Sequence, residues 1–276
     1  VQTGQRVAAF ECEVPSFEGA TRAVVLLPRA SAAPQPGAGG PWGLVVALHG
    51  RGEALKGPID GPWGWPRDYA LFRAIERLHA PPLISEDFEG LVTPAERAAY
   101  NEALAAAPYA GLVVVCPYLP DLPRDDLKAA RVYGRYLATT LVPWARAHLP
   151  VRRNARDTVV DGVSLGGFAA LAAGLSHPTV FGAVGGLQPA ISDGQFPEWL
   201  DLARAARTAN PEQQLRLVTS QKDFFRGVTS RFSAALTQAN IAHRFQLTQG
   251  PHDYVWNRGP GAFALLMFAH EALRGH

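Results

Sequence analysis

The feature that most limits the fold is an alternation running from about residue 44 to the end of the chain. Short apolar runs at 44–48 and 112–115 read as strands buried on both faces, and 158–161 reads as a further strand. Further strand-like runs lie at 181–187, 215–220 and 243–248. Between them the apolar residues recur with helical spacing, at about 68–79, 165–175, 197–207, 228–239 and 262–273. Thr93-Pro94-Ala95-Glu96 has capping-box spacing with proline at the first helical position, which marks another helix start. Strands alternating with helices predict an α/β chain with a mostly parallel central sheet covered by helices on both faces.

Upstream, 7–14 and 20–28 read as two strands joined by a turn at 17–19, an antiparallel hairpin at the N-terminal end. The Ala/Pro/Gly-rich stretch 31–41 reads as a surface loop within the domain. A helix carrying Tyr133, Tyr136, Leu137, Leu141 and Trp144 on one face is expected to kink near Pro143. The expectation is one domain over 1–276, with loop and helical insertions near 51–110 and 190–213.

Several function classes are disfavoured. The net charge is only +2 and acids and bases are interspersed, so no basic stripe offers itself to nucleic acid. No apolar run reaches the roughly 18 residues of a membrane span. The first residues, V-Q-T-G-Q-R, are polar and lack a signal-peptide core, so the expectation is a soluble chain, cytoplasmic or exported with its signal removed. Cys12 and Cys116 are too few for a cysteine-rich zinc site; each reads as a small hydrophobe in a strand, and their pairing stays open. Oligomeric state is equally open.

The chemistry concentrates at Gly162-Val163-Ser164-Leu165-Gly166-Gly167, a G-x-S-x-G pattern between a predicted strand and a predicted helix. In that context a serine sits on a tight turn with its hydroxyl projected outward, small neighbours let strand and helix meet, and the helix N-terminus favours developing negative charge. A serine hydroxyl needs a base. His252 follows the last predicted strand and Asp223 the one before it, so the chain order is Ser, Asp, His, with all three past carboxyl ends of strands. The rivals are placed less well. Asp193 and Asp201 follow no strand directly, Asp253 adjoins His252 in sequence, and Asp161 precedes the serine turn within its strand. His49, in His49-Gly50-Arg51-Gly52 after another strand, suits a loop-orienting role, and His177 suits a helix C-cap.

The chain resembles the esterase D branch of the α/β-hydrolases, which takes in S-formylglutathione hydrolases, enterochelin esterases, feruloyl esterases and mycolyltransferases. The residues that carry the resemblance are Leu48-His49-Gly50-Arg51-Gly52, the G-V-S-L-G-G turn, and Gly250-Pro251-His252-Asp253-Tyr254-Val255-Trp256. It spans about residues 7 to 274 and implies the α/β-hydrolase fold. It also implies Ser164 as nucleophile, His252 as base, Asp223 as orienting acid, and an oxyanion hole from the backbone N–H groups of Arg51 and Leu165. Pro251 replaces a glycine of the usual ending, and the segment Arg51–Asp87, with its Gly61-Pro62-Trp63-Gly64-Trp65-Pro66 loop, matches no one subfamily. The activity implied is a serine carboxylesterase acting on a small-molecule ester, with no metal and no organic cofactor. An acyltransferase or peptidase on the same triad, or a catalytically silent binding protein, are the alternatives.

Three aromatic pairs are tied by sequence to the same edge of the sheet. Trp63 and Trp65 follow the presumed oxyanion turn, Phe224 and Phe225 follow Asp223, and Tyr254 and Trp256 follow His252. As cleft walls they would favour short acyl or aryl esters over long acyl chains.

Overall fold

The computed structural model describes residues 2–29 and 42–274. The loop expected at 31–41 and the terminal His276 lie outside the described residues. The strands are β1 (Gln2–Thr3), β2 (Val7–Phe17), β3 (Ala20–Pro28), β4 (Leu44–Leu48), β5 (Val113–Pro117), β6 (Thr158–Gly162), β7 (Ala183–Leu187), β8 (Gln214–Lys222) and β9 (Arg244–Pro251). The helices are α1 (Arg51–Ala54), α2 (Gly57–Asp60), α3 (Leu71–Leu78), α4 (Pro94–Ala106), α5 (Leu127–Tyr136), α6 (Val142–His148), α7 (Leu165–Ser176), α8 (Phe196–Ala209), α9 (Arg226–Gln238), α10 (Tyr254–Trp256) and α11 (Ala262–Arg274).

The nine strands among the described residues form one sheet in the order β1-β2-β3-β5-β4-β6-β7-β8-β9. β1, β2 and β3 pair antiparallel, as do β3 and β5; every pair from β5 through β9 is parallel. The β2–β3 turn is two residues long, with Glu18 and Gly19 both at positive φ, the geometry that follows the twist of a hairpin. The central strands alternate strictly. Leu44, Val46 and Leu48 face the core under α5, α7, α8 and α9, while Val45 and Ala47 face the core under α3, α4 and α11. That double burial is why β4 reads as a continuous apolar run. α7 is buried along nearly its whole length, and its alanines and glycines let it lie close on the sheet.

Three local expectations need correction. The helix expected at 68–79 begins only at Leu71, because Ala70 takes a left-handed conformation (φ 54) that ends the preceding π-helical turn, Gly64–Asp68. The helix expected to kink at Pro143 instead carries a π-helical turn at Leu137–Leu141. Pro143 then falls in the first turn of α6, where its missing N–H costs little. The strand at 181–187 starts two residues later, at Ala183. Cys12 and Cys116 are both free thiols, on strands separated by β3.

The chain leaves β4 toward β5 on one side and leaves β6 toward β7 on the other. Neighbouring strands whose exits diverge leave a crevice at their carboxyl ends, where ligands of open α/β sheets bind. β4 ends in His49-Gly50-Arg51 and β6 in Val163-Ser164, so that crevice lies between the two most informative stretches of the sequence.

Candidate active site

Ser164 is held at φ 57, ψ −116, a conformation that costs a non-glycine residue on the order of 1–3 kcal/mol. The surrounding backbone imposes it. Ser164 N–H donates to Leu187 O (2.9 Å), Ala190 N–H donates to Ser164 O (3.0 Å) and Gly166 N–H donates to Val163 O (2.8 Å). The glycines have steric reasons. A methyl group on Gly162 would lie 2.5 Å from the Gly166 carbonyl, and one on Gly166 would overlap the Leu48 carbonyl. The turn therefore packs β6, α7 and the end of β4 backbone to backbone, leaving the serine hydroxyl to project into the crevice.

His252 meets that hydroxyl from the end of β9. Its Nε2 is 3.0 Å from Ser164 Oγ and its Nδ1 is 2.9 Å from Asp223 Oδ1. Asp223 is 6% exposed, and its other partners fix it. Oδ2 accepts from Thr219 Oγ1 at 2.7 Å, and Oδ1 accepts the Phe225 N–H at 2.9 Å. With both carboxylate oxygens engaged as acceptors, the Nδ1 proton of His252 is the donor that completes the set.

The other acids are occupied elsewhere. Asp161 is buried against Arg216 at 2.5 Å, Asp193 pairs with Arg231 at 2.7 Å, and Asp201 pairs with Arg204 at 2.9 Å. Asp253 caps α10 by accepting the Trp256 N–H at 3.0 Å. His177 ends α7. His49 is buried, and its ring joins Gly50 O and the Leu119 N–H, each at 3.0 Å. Because Leu119 donates, Nε2 must accept and Nδ1 must carry the proton; burial pushes the His49 pKa down to about 4, so the neutral ring persists.

Arg51 and Leu165 are the first residues of α1 and α7, positions whose N–H groups have no acceptor within their own helices. Among the described residues neither N–H has a backbone acceptor elsewhere. Both residues line the same cleft as Ser164, and a methyl group built on Gly50 would sit 3.8 Å from Ser164 Cβ. The Arg51 side chain turns outward to Asp121, 2.8 Å away.

The cleft encloses about 740 Å³, within the usual range for small-molecule sites. Phe224, Phe225 and Tyr254 line it, together with Tyr69, Leu122 and Pro123. The three tryptophans expected as walls do not. Trp65 and Trp256 are fully buried, with their indole N–H groups donating to Leu48 O (2.8 Å) and Thr248 Oγ1 (2.9 Å). Trp63 packs on the core beneath α3 and α11 and donates to Glu11 at 2.9 Å. No group of three or more metal-ligating side chains occurs among the described residues.

Two polar residues that the sequence did not single out border the site. Gln188, fully buried at the end of β7 with φ 44, donates from Nε2 to Ser220 Oγ (2.7 Å) and to Pro251 O (3.0 Å). Ser220 Oγ in turn donates to Gly250 O at 2.7 Å. Both carbonyls belong to the segment that delivers His252. Glu53, on α1, is 1% exposed and is met by the hydroxyls of Tyr69 and Tyr254.

The sequence pattern of the family described as "Putative esterase" matches residues 120–254, a span that includes Ser164, Asp223 and His252. Over that span the chain carries this esterase family's pattern, and its fold is that of an α/β-hydrolase. It is thus an enzyme of the carboxylic ester hydrolase kind. Solved structures agree in fold. A ferulic acid esterase superposes with a TM-score of 0.67 at 15% identity, over 97% of this esterase and 98% of that chain. An S-formylglutathione hydrolase from Staphylococcus aureus gives 0.60 at 16% identity, over 98% and 99%. A fluorophosphonate-binding serine hydrolase of Staphylococcus aureus gives 0.64 at 15%, over 95% and 98%. No curated protein matches this esterase in sequence. No helix among its described residues is long and apolar enough to cross a membrane.

Proposed function

We propose that this chain is a serine carboxylesterase that hydrolyses short acyl or aryl esters through a Ser164–His252–Asp223 triad. The observation that carries the reading is the continuous hydrogen-bonded line from Ser164 Oγ through His252 to Asp223, opening into one cleft. In this reading His252 Nε2 takes the hydroxyl proton as Ser164 Oγ bonds to the ester carbonyl carbon. Asp223 stays ionised, holds the ring's tautomer and stabilises the imidazolium.

The oxygen that becomes negative accepts from Arg51 N–H and Leu165 N–H. One such donor is worth about 3–4 kcal/mol in a related hydrolase type. His252 then gives its proton to the leaving alkoxide as the C–O bond breaks. Water repeats the sequence on the acyl-enzyme: it loses a proton to His252, adds to the carbonyl, and releases the acid and free Ser164.

Phe224, Phe225 and Tyr254 support the substrate class. Bulky aromatic walls suit a flat or short acyl group and crowd a long flexible one. The experiment pairs fluorophosphonate labelling of wild type and Ser164→Ala with kcat/KM across p-nitrophenyl esters from acetate to palmitate, beside a ferulate ester. Labelling lost in a folded Ser164→Ala variant, with an optimum at short or aromatic acyl groups, is the expected result. Retained hydrolysis by Ser164→Ala overturns the nucleophile, and a long-chain optimum overturns the substrate class.

A further inference from the structure

The mechanism above leaves a buried carboxylate in the cleft wall unused. Glu53 is the third residue of α1, two positions after Arg51. Its Oε2 takes the Tyr69 hydroxyl, its Oε1 takes the Tyr254 hydroxyl at 2.6 Å, and Lys56 Nζ approaches Oε1 at 3.3 Å. Lys56 is itself anchored to Asp68 at 2.8 Å.

A phenol has one proton to give. Tyr69 gives its proton to Glu53, so its oxygen is left as an acceptor, and it receives the Gly50 N–H at 3.1 Å. That hydrogen bond fixes the His49–Gly50 peptide, the one preceding the peptide that carries the Arg51 N–H. Tyr254, whose ring lies 5.7 Å from that of Tyr69, opens α10 two residues after His252. Glu53 therefore joins the turn after β4 to the segment after β9.

The sequence is shaped around these contacts. A methyl group on Gly50 would stand 3.0 Å from the Tyr69 hydroxyl, and one on Gly52 would stand 3.0 Å from the Tyr254 hydroxyl. A methyl group on Gly64 would stand 2.7 Å from Glu53 Cγ. Three glycines thus leave the room that the carboxylate and its two phenols fill. α1 is only four residues long and cannot hold its own first N–H rigidly.

We infer that Glu53 is a positioning residue: through Tyr69 and Gly50 it aims the Arg51 N–H at the developing oxyanion, and through Tyr254 it keeps that turn in register with the His252 segment. The inference rests on the serine-esterase reading. Its cost when broken follows from geometry, because a hydrogen bond weakens steeply once its donor swings off line. Removing an oxyanion donor outright costs about 10²–10³ in kcat, so loosening its mount should cost about 10-fold or more.

The test uses Tyr69→Phe, Glu53→Gln and the double variant. The readouts are kcat and KM on p-nitrophenyl acetate, inhibition by a boronic acid that adds to Ser164, inhibition by product carboxylate, and thermal midpoint. Tyr69→Phe preserves the ring that packs edge-on against Trp65 at 5.0 Å, so it carries the test even if Glu53→Gln fails to fold. The expected result is kcat down about 10-fold with KM within about two-fold, and boronate affinity lowered while product affinity holds. The double variant should be no slower than the slower single, because both substitutions cut one chain of contacts.

Wild-type kcat in folded Tyr69→Phe, or a loss confined to KM or to thermal midpoint, overturns the inference. Ser164→Ala is assayed alongside. If it retains activity, the parent reading has failed; if it is inactive while Tyr69→Phe is at wild-type kcat, only the role of Glu53 has failed.

Discussion

The ring of Phe224 lies 4.1 Å from the imidazole of His252, centroid to centroid and tilted by 38°, yet Phe224 is 71% exposed. Phe225 meets the same imidazole edge-on at 5.5 Å. Asp223 places both rings, since they are the next two residues after the carboxylate that holds His252. A phenyl ring with one face on the histidine and the other in solvent offers an open apolar surface at the mouth of the cleft.

A first prediction concerns that surface. An aromatic pair is worth about 0.5–1.5 kcal/mol beyond its area, or roughly 2- to 10-fold in kcat/KM. Phe224→Ala should therefore lower kcat/KM for a ferulate ester by about that factor and lower it less for ethyl acetate. Its thermal midpoint should barely move, because exposed substitutions cost within about 0.5 kcal/mol. Equal losses on the two esters would mean that the ring serves the imidazole and not the substrate.

The second prediction isolates the acid. In Asp223→Asn the Oδ2 contact with Thr219 and the Phe225 N–H contact can persist in part, but the amide no longer demands the Nδ1 proton of His252. The tautomer with Nε2 protonated then competes, and that form cannot take the serine proton. The expected loss in kcat is large, about 10⁴ for the same exchange in a serine protease. Asp193→Asn and Asp201→Asn should stay near wild type, since those carboxylates pair with exposed arginines on the surface.

The sheet was legible because its central strands are buried on both faces, so runs such as Val45, Val46 and Ala47 announce themselves without a partner in view. The serine turn was legible from its G-x-S-x-G pattern between a strand and a helix, although the carbonyl that excludes a side chain at Gly166 belongs to Leu48, far away in sequence. Direction around a short helix was not legible. Tyr254 and Trp256 are two residues apart in α10, about 200° around a helix, so one faces the cleft and the other the core. Trp65 turns inward because its indole N–H reaches a carbonyl of β4, a contact 17 residues away. Gln188 and Glu53 carried no motif at all. Their partners lie 63 and 201 residues away, at Pro251 and Tyr254, and only the assembled sheet edge brings them together.

Gln188 supports a third prediction. Its left-handed backbone carries strain of order 1–3 kcal/mol, and its side-chain amide grips the carbonyl just before His252. Gln188→Leu keeps bulk and removes the grip, leaving Pro251 O without that donor. Stability should fall by about 1–3 kcal/mol, the cost of stranding a buried polar partner. If the grip also positions the base, kcat should fall by about 10-fold while KM holds, because a misplaced base weakens only the proton-transfer step. A variant that melts earlier but turns over at the wild-type rate would confine Gln188 to a structural role.

The last prediction concerns acid stability and comes from His49. Its folded pKa is lowered from 6.5 to about 4, first by burial, while the bond to Gly50 pulls the other way and the Lys56 charge adds to the lowering. Between those two values the unfolded chain holds a proton on this residue that the folded chain refuses. More protons on the unfolded state means that stability rises with pH, so it must fall as pH drops from about 6.5 to about 4. One proton over that window amounts to something on the order of 3 kcal/mol. Above about 6.5 the residue contributes no slope. In His49→Gln the amide oxygen can still accept the Leu119 N–H, but nothing at that position titrates. Urea unfolding at pH 7, 6, 5 and 4 should therefore show a shallower acid-side decline in His49→Gln than in wild type, although the variant starts from lower stability at pH 7. Parallel curves would show that His49 takes up its proton without opening the fold. The turn from Gly50 to Arg51 would then have to tolerate a charged ring beneath it whose Nε2 can no longer accept the Leu119 N–H.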